Sequence, residues 1–162
     1  MKDQQSTHER LSSTLTIIKD GATVLIQQEE DFVNMIFIVG EDFLEPLPFI
    51  FSNSLEKQFL VSMIQKLVKK TNAIGIIMVS DAWTTTHKPD GKAIDISKIL
   101  APSQSPDRKE TLIITAIGLD FKKGFHIPYH RVNNKVILEK EQPFNHFEDL
   151  NFSSLFQKKF DA

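Results

Sequence analysis

Two stretches of the chain are apolar almost without a break: Ala73-Ile74-Gly75-Ile76-Ile77-Met78-Val79 and Thr111-Leu112-Ile113-Ile114-Thr115-Ala116-Ile117. A strand sends successive side chains to opposite faces, so a strand with no polar phase has no face to give to water. Such strands lie inside a sheet that is covered on both sides. Both runs are far shorter than the roughly 20 apolar residues a membrane helix needs. The chain is therefore expected to build a sheet around these two strands, with helices to cover it.

The remaining elements follow from periodicity and punctuation. Ser6 to Lys19 reads as a helix, with Leu11, Leu15 and Ile18 on one stripe. Gly21 then suits a helix end, and the β-branched run Ala22 to Ile26 reads as a strand, paired through Gln27–Asp31 with a second strand from Phe32 to Val39. The rival reading continues the helix to Gln27. It is set aside because a glycine inside a helix costs ~1 kcal/mol. Pro46 and Pro48 confine Leu44–Phe51 to an edge strand or loop. Asn53 and Glu56 have the spacing of a capping box. The helix they open runs to about Lys70, with Leu55, Phe59, Leu60, Met63, Ile64, Leu67 and Val68 as its apolar face. Lys66, Lys69 and Lys70 complement the dipole at its end.

After the second interior run, Asp120–Gly124 is predicted as a turn and Phe125–Val132 as a strand. That strand carries Phe125, Ile127 and Tyr129 on one face and His126, Pro128 and His130 on the other. Asn133-Asn134 forms a two-residue hairpin turn, since Asn tolerates positive φ, and Lys135–Lys140 is the last strand. In the tail, Phe144, Phe147, Phe152, Phe156 and Phe160 punctuate polar residues. Phe152, Leu155 and Phe156 keep helical spacing, which predicts a short helix docked on the sheet, or alternatively on a neighbouring subunit. The fold class is α+β: a largely antiparallel sheet with two main helices packed on it, plus a short C-terminal helix. Residues 1–145 are read as one domain and 146–162 as a Phe-rich tail.

Composition narrows the function classes. The 162 residues carry 19 Lys and Arg against 21 Asp and Glu, a net charge of −2, which argues against a strongly basic nucleic-acid binder. The basic pairs Lys69-Lys70, Lys122-Lys123 and Lys158-Lys159 read as solvated surface. There is no cysteine, so thiolate catalysis and Cys-based zinc sites are excluded. The polar start at Met1-Lys2-Asp3 lacks the apolar core of a secretory signal, and a cytoplasmic protein with no membrane contact is expected. Glycine-rich phosphate loops, a Gly-x-Ser-x-Gly elbow and a His-Glu-x-x-His pair are all missing, so those nucleotide-binding, hydrolase and zincin motifs are not supported. His126 and His130 lie four apart on a strand, about 13 Å by strand rise, too far to share a metal. Thirteen Phe against one Trp and one Tyr favours core and interface roles over stacking platforms.

One connection is long for a compact domain, roughly thirty residues from Ser80 to Thr111, and such loops are commonly functional or mobile. If the two interior strands are neighbours, its ends meet. They would gather Asp81, Trp83 and His87 from one side with Asp107, Arg108 and Glu110 from the other. This set suits a polar ligand. The preferred reading is a structural staple, with Arg108 paired to Asp81 or Glu110 and Trp83 covering the core. The residue types alone define no reaction, and no metal or other cofactor is expected.

The motifs Ser80-Asp81-Ala82-Trp83, Pro102-Ser103 and Ser105-Pro106-Asp107-Arg108-Lys109-Glu110 resemble those of a group of small bacterial and phage-associated proteins. Those proteins read apolar strand, Ser-Glu-Ala-Trp, a variable loop, Pro-Ser, then Pro-Asp-Arg-x-Glu. The likeness covers about Ala73 to Leu119, with Asp81 where Glu is commoner, and it implies no chemistry. The leading expectation is thus a non-enzymatic accessory or binding protein. It would self-associate through the tail (Phe152, Phe156, Phe160) or an edge strand. The alternative is a ligand binder or enzyme using the loop ends around Trp83 and Arg108. A nucleic-acid-associated factor is the weaker third reading.

Overall fold

The computed structural model describes residues 4–28, 34–85, 108–144 and 152–156. In chain order the elements are helix α1 (Gln4–Gln27), strands β1 (Met35–Val39) and β2 (Leu44–Pro48), and helix α2 (Ser54–Thr71). Strands β3 (Gly75–Thr85), β4 (Arg108–Gly118), β5 (Phe121–Val132), β6 (Lys135–Leu138) and β7 (Gln142–Phe144) follow, then a 3-10 turn at Phe152–Phe156. The strands form one seven-stranded sheet ordered β2-β1-β3-β4-β5-β6, with β7 also on β5. Every pairing is antiparallel. The fold is α+β, and the two apolar runs are the central pair β3 and β4.

Both sheet faces are covered, as those runs require. On one face α1 buries Leu11, Leu15, Ile18, Ala22 and Ile26 against Val39, Ile77, Val79, Leu112, Ile114, Ile127 and Tyr129. On the other, Ile64 and Val68 of α2 and Phe152 and Phe156 of the 3-10 turn close over Ile36, Ile38, Ile76 and Ile117. Gly75 and Gly118 face each other across β3 and β4. The Leu11 side chain occupies the space a Cβ would need at either position, so the pair forms a slot for α1. At the same end of the sheet, next to Val39, which pairs with Gly75, Arg10 donates from Nε to the Gly40 carbonyl at 2.6 Å and from Nη2 to the Phe43 carbonyl at 3.2 Å, tying α1 to the β1–β2 turn.

Several boundaries correct the sequence reading. The strand expected at Ala22–Ile26 is helix, because α1 continues through Gly21 to Gln27. Ala22 and Ile26 extend the buried stripe, and burying a side chain the size of Ile is worth roughly 1.5–3 kcal/mol. That exceeds the cost of one helical glycine. Phe32 and Val33 fall outside the described residues. Leu44–Pro48 is the edge strand that its prolines suggested. Phe49 N–H bonds the Asn34 carbonyl at 2.7 Å. By alternation, Pro46 and Pro48 hold the outward positions, where a backbone N–H would otherwise be offered to solvent.

The capping box forms: Asn53 Oδ1 accepts from Glu56 N–H at 2.9 Å, and Glu56 Oε2 accepts from Ser52 N–H at 2.7 Å. The predicted apolar face of α2 is split, however. Ile64 and Val68 are buried, whereas Leu55, Phe59 and Met63 are exposed. The turn expected at Asp120–Gly124 is shorter. Gly118 already pairs with Phe121, Asp120 alone takes a positive φ, and β5 begins at Phe121. Asn133 and Asn134 both adopt positive φ, as a tight primed turn requires. No helix among the described residues is long and apolar enough to cross a membrane.

Candidate functional site

The interior strands do lie side by side, and their pairing runs on past the apolar cores. Asp81 pairs with Leu112, Trp83 with Glu110, and Thr85 with Arg108. The loop ends expected at 81–85 and 108–110 are therefore strand, and the connection between the strands shrinks to 86–107. His87 and Asp107 fall outside the described residues. Trp83 and Arg108 are placed by their backbone alone, two ladder steps apart.

Asp81 and Glu110 are described in full, and each has found a partner that the sequence reading did not assign. The β4–β5 ladder sets Glu110 opposite Tyr129. Tyr129 Oη donates to Asp81 Oδ1 at 2.8 Å across the intervening strand. Arg131 Nε donates to Glu110 Oε2 at 3.3 Å. Asp81 N–H is held in turn by Asn34 Oδ1 at 3.0 Å, which anchors this end of β3 to the start of β1. The result is a polar row across β3, β4 and β5, on the α1 side of the sheet.

Burial drives the electrostatics of the row. Tyr129 is 2% exposed. Desolvation pushes its phenol well above the ordinary value, reinforced by the hydrogen bond to Asp81 and by the Asp81 and Glu110 charges, against a smaller opposing effect of Arg131. Desolvation also raises the Asp81 carboxyl. The Tyr129 hydrogen bond opposes that, the Glu110 charge adds to it, and the Arg131 charge opposes it. Tyr129 is thus a hydrogen-bond donor to Asp81 that stays protonated near neutral pH. The signal that finds Tyr129 and Arg131 is register: a two-residue turn at Leu119-Asp120 makes Glu110 face Tyr129, whereas a longer turn shifts the alignment.

The strand histidines are separately engaged. His126 stacks on Phe144 with ring centroids 4.2 Å apart, and burial lowers its pKa. His130 Nδ1 lies 3.9 Å from Glu139 Oε2. Among the described residues, no three His, Asp or Glu side chains are grouped as metal ligands would be.

The molecule is thus an α+β protein with a helix on each face of an antiparallel sheet and a polar row at one end of its three central strands. The chain belongs to the family of bacteriophage lambda protein ea47, whose model matches residues 2–156. No curated protein and no solved structure matches it.

Proposed function

We propose that this phage-family chain is a non-enzymatic accessory protein that works by contact with another protein chain, through the outer face of α2. The observation that carries the reading is exposure. On α2, Leu55 is 76%, Phe59 74% and Met63 37% exposed, and Ile50 and Phe51 just before the helix are also open to solvent. Large apolar side chains gathered on one element of a water-soluble surface mark a contact site. The polar row fits the same view from the other side, since Asp81 and Tyr129 are held by each other. A cysteine-free sequence suits the reducing cytoplasm as its place of action.

Side-chain footprinting tests it without knowledge of the partner. Phe59 and Met63 are expected to be labelled strongly in dilute pure protein and protected in an extract of cells producing phage proteins. Equal labelling in both would refute contact at this face.

A second reading rests on the β3–β4 register. It sets Trp83 opposite Glu110 and Arg108 two steps away, as a small polar-ligand site at the strand ends would need. The loop motifs shared with phage-associated proteins fall in the same place. A metabolite screen by thermal shift, repeated on Trp83→Ala and Arg108→Ala, checks it. A hit that both variants abolish supports the ligand site, and a screen without a hit counts against it.

A further inference from the structure

Resting on the contact reading above, we infer that the partner on α2 is a second copy of this chain, with the two α2 helices packed antiparallel about a two-fold axis. Leu55, Phe59 and Met63 recur every four residues, so they form one ridge along the outside of the helix, opposite the buried Ile64 and Val68. Ile50 and Phe51, in the segment just before the helix, are exposed as well. A ridge of this kind packs against a copy of itself, because a two-fold contact uses the same patch twice.

Charge selects the direction. The only acid on α2 is Glu56, in its first turn, while Lys66, Lys69 and Lys70 crowd its last two turns. Parallel copies would set lysine against lysine and align the two helix dipoles. Antiparallel copies oppose the dipoles, separate the two lysine-rich ends and bring Glu56, which stands beside Lys57, to the basic end of the other copy. With the axis level with Val61, Phe59 meets Met63 of the second copy, and Glu56 stands level with its Lys66. An aromatic ring beside a thioether is a favourable contact in its own right. Self-association along the β2 edge is obstructed by Pro46 and Pro48 in the outward positions.

The test measures mass in solution by sedimentation across a concentration range, on the full chain. The wild type is expected to be a dimer that dissociates on dilution. Phe59→Glu, at a position 74% exposed and outside the core, is expected to be monomeric throughout with an unchanged far-UV spectrum. Lys66→Glu sets acid against acid at both ends of the pair and is expected to raise the dissociation constant about tenfold, given surface ion pairs of up to ~1 kcal/mol each. It serves as the second variant should Phe59→Glu fold poorly. Direction is read by cross-linking in the cysteine-free background. Ser62→Cys lies beside the proposed axis and should oxidise to a disulfide dimer. Lys69→Cys would be separated from its counterpart by roughly 24 Å along the helices, beyond disulfide reach. A wild type that stays monomeric overturns the proposal, as does a dimer indifferent to both Phe59→Glu and Lys66→Glu. A Lys69→Cys cross-link as efficient as that of Ser62→Cys overturns the antiparallel arrangement. Monomeric pure protein whose Phe59 and Met63 are still protected in the extract would sink the dimer alone and leave contact with a different protein standing.

Discussion

Single residues carry local costs that the rest of the fold outweighs. Gly21 lies within α1, and a Cβ built on it would meet nothing within 4 Å. Gly21→Ala is therefore expected to stabilise the protein by about 0.5–1 kcal/mol, through helix propensity alone, measured by urea unfolding. Tyr129 is the sole tyrosine in the chain, so tyrosinate absorbance reports one group. The folded state keeps the phenolic proton where the unfolded chain, titrating near 10.0, loses it. Stability should consequently fall as pH rises past 10, and tyrosinate should appear together with unfolding instead of before it. Ionisation of the phenol in a still-folded protein would contradict the buried pair. Asp81→Ala strands the phenol without an acceptor and should cost about 1–3 kcal/mol, while Asp81→Asn keeps the acceptor and should cost far less.

Helices and strands show where propensity is enough and where packing intervenes. The start of α2 is written locally: Asn53 caps it and Glu56 returns the bond to Ser52. Asn53→Ala should cost about 1 kcal/mol, read from thermal unfolding. Which apolar side of α2 faces the sheet is not written locally, because Leu55, Phe59 and Met63 obey the same period as Ile64 and Val68. The extent of β3 and β4 was hidden for a related reason. The polar residues Asp81 and Glu110 resemble loop once the apolar run stops, yet ladder bonds continue through them. α1 shows the opposite bias: Val24-Leu25-Ile26 resembles a strand by composition, and only Ile26 of the three reaches the core.

The whole molecule joins these parts through two cores on opposite faces of one sheet. Phe152 is 0% exposed between α2 and the sheet, so Phe152→Ala should cost about 3–5 kcal/mol and loosen the 3-10 turn, as judged by proteolysis of the C-terminal segment. In acid, two half-buried groups pull stability in opposite directions. The pKa of His126 is lowered from 6.5 by burial. The unfolded chain therefore binds the extra proton, and stability drops as pH falls below about 6.5. Asp81, raised from 3.8, works the other way, its contribution declining as pH climbs from there through its folded value. Urea midpoints across pH 4–7 should flatten at the upper end for His126→Gln and at the lower end for Asp81→Asn.

By itself the sequence determined the class of fold, the two interior strands, the capped start of α2, the proline-guarded edge and the Asn133-Asn134 turn, since each depends on the chemistry of neighbouring residues. Tertiary structure alone decided that Gly21 stays helical, that Asp81 and Glu110 join Tyr129 and Arg131, and that one apolar ridge of α2 remains outside. Each of those outcomes compares burial or register between segments far apart in the chain, and no local stretch holds both sides of that comparison.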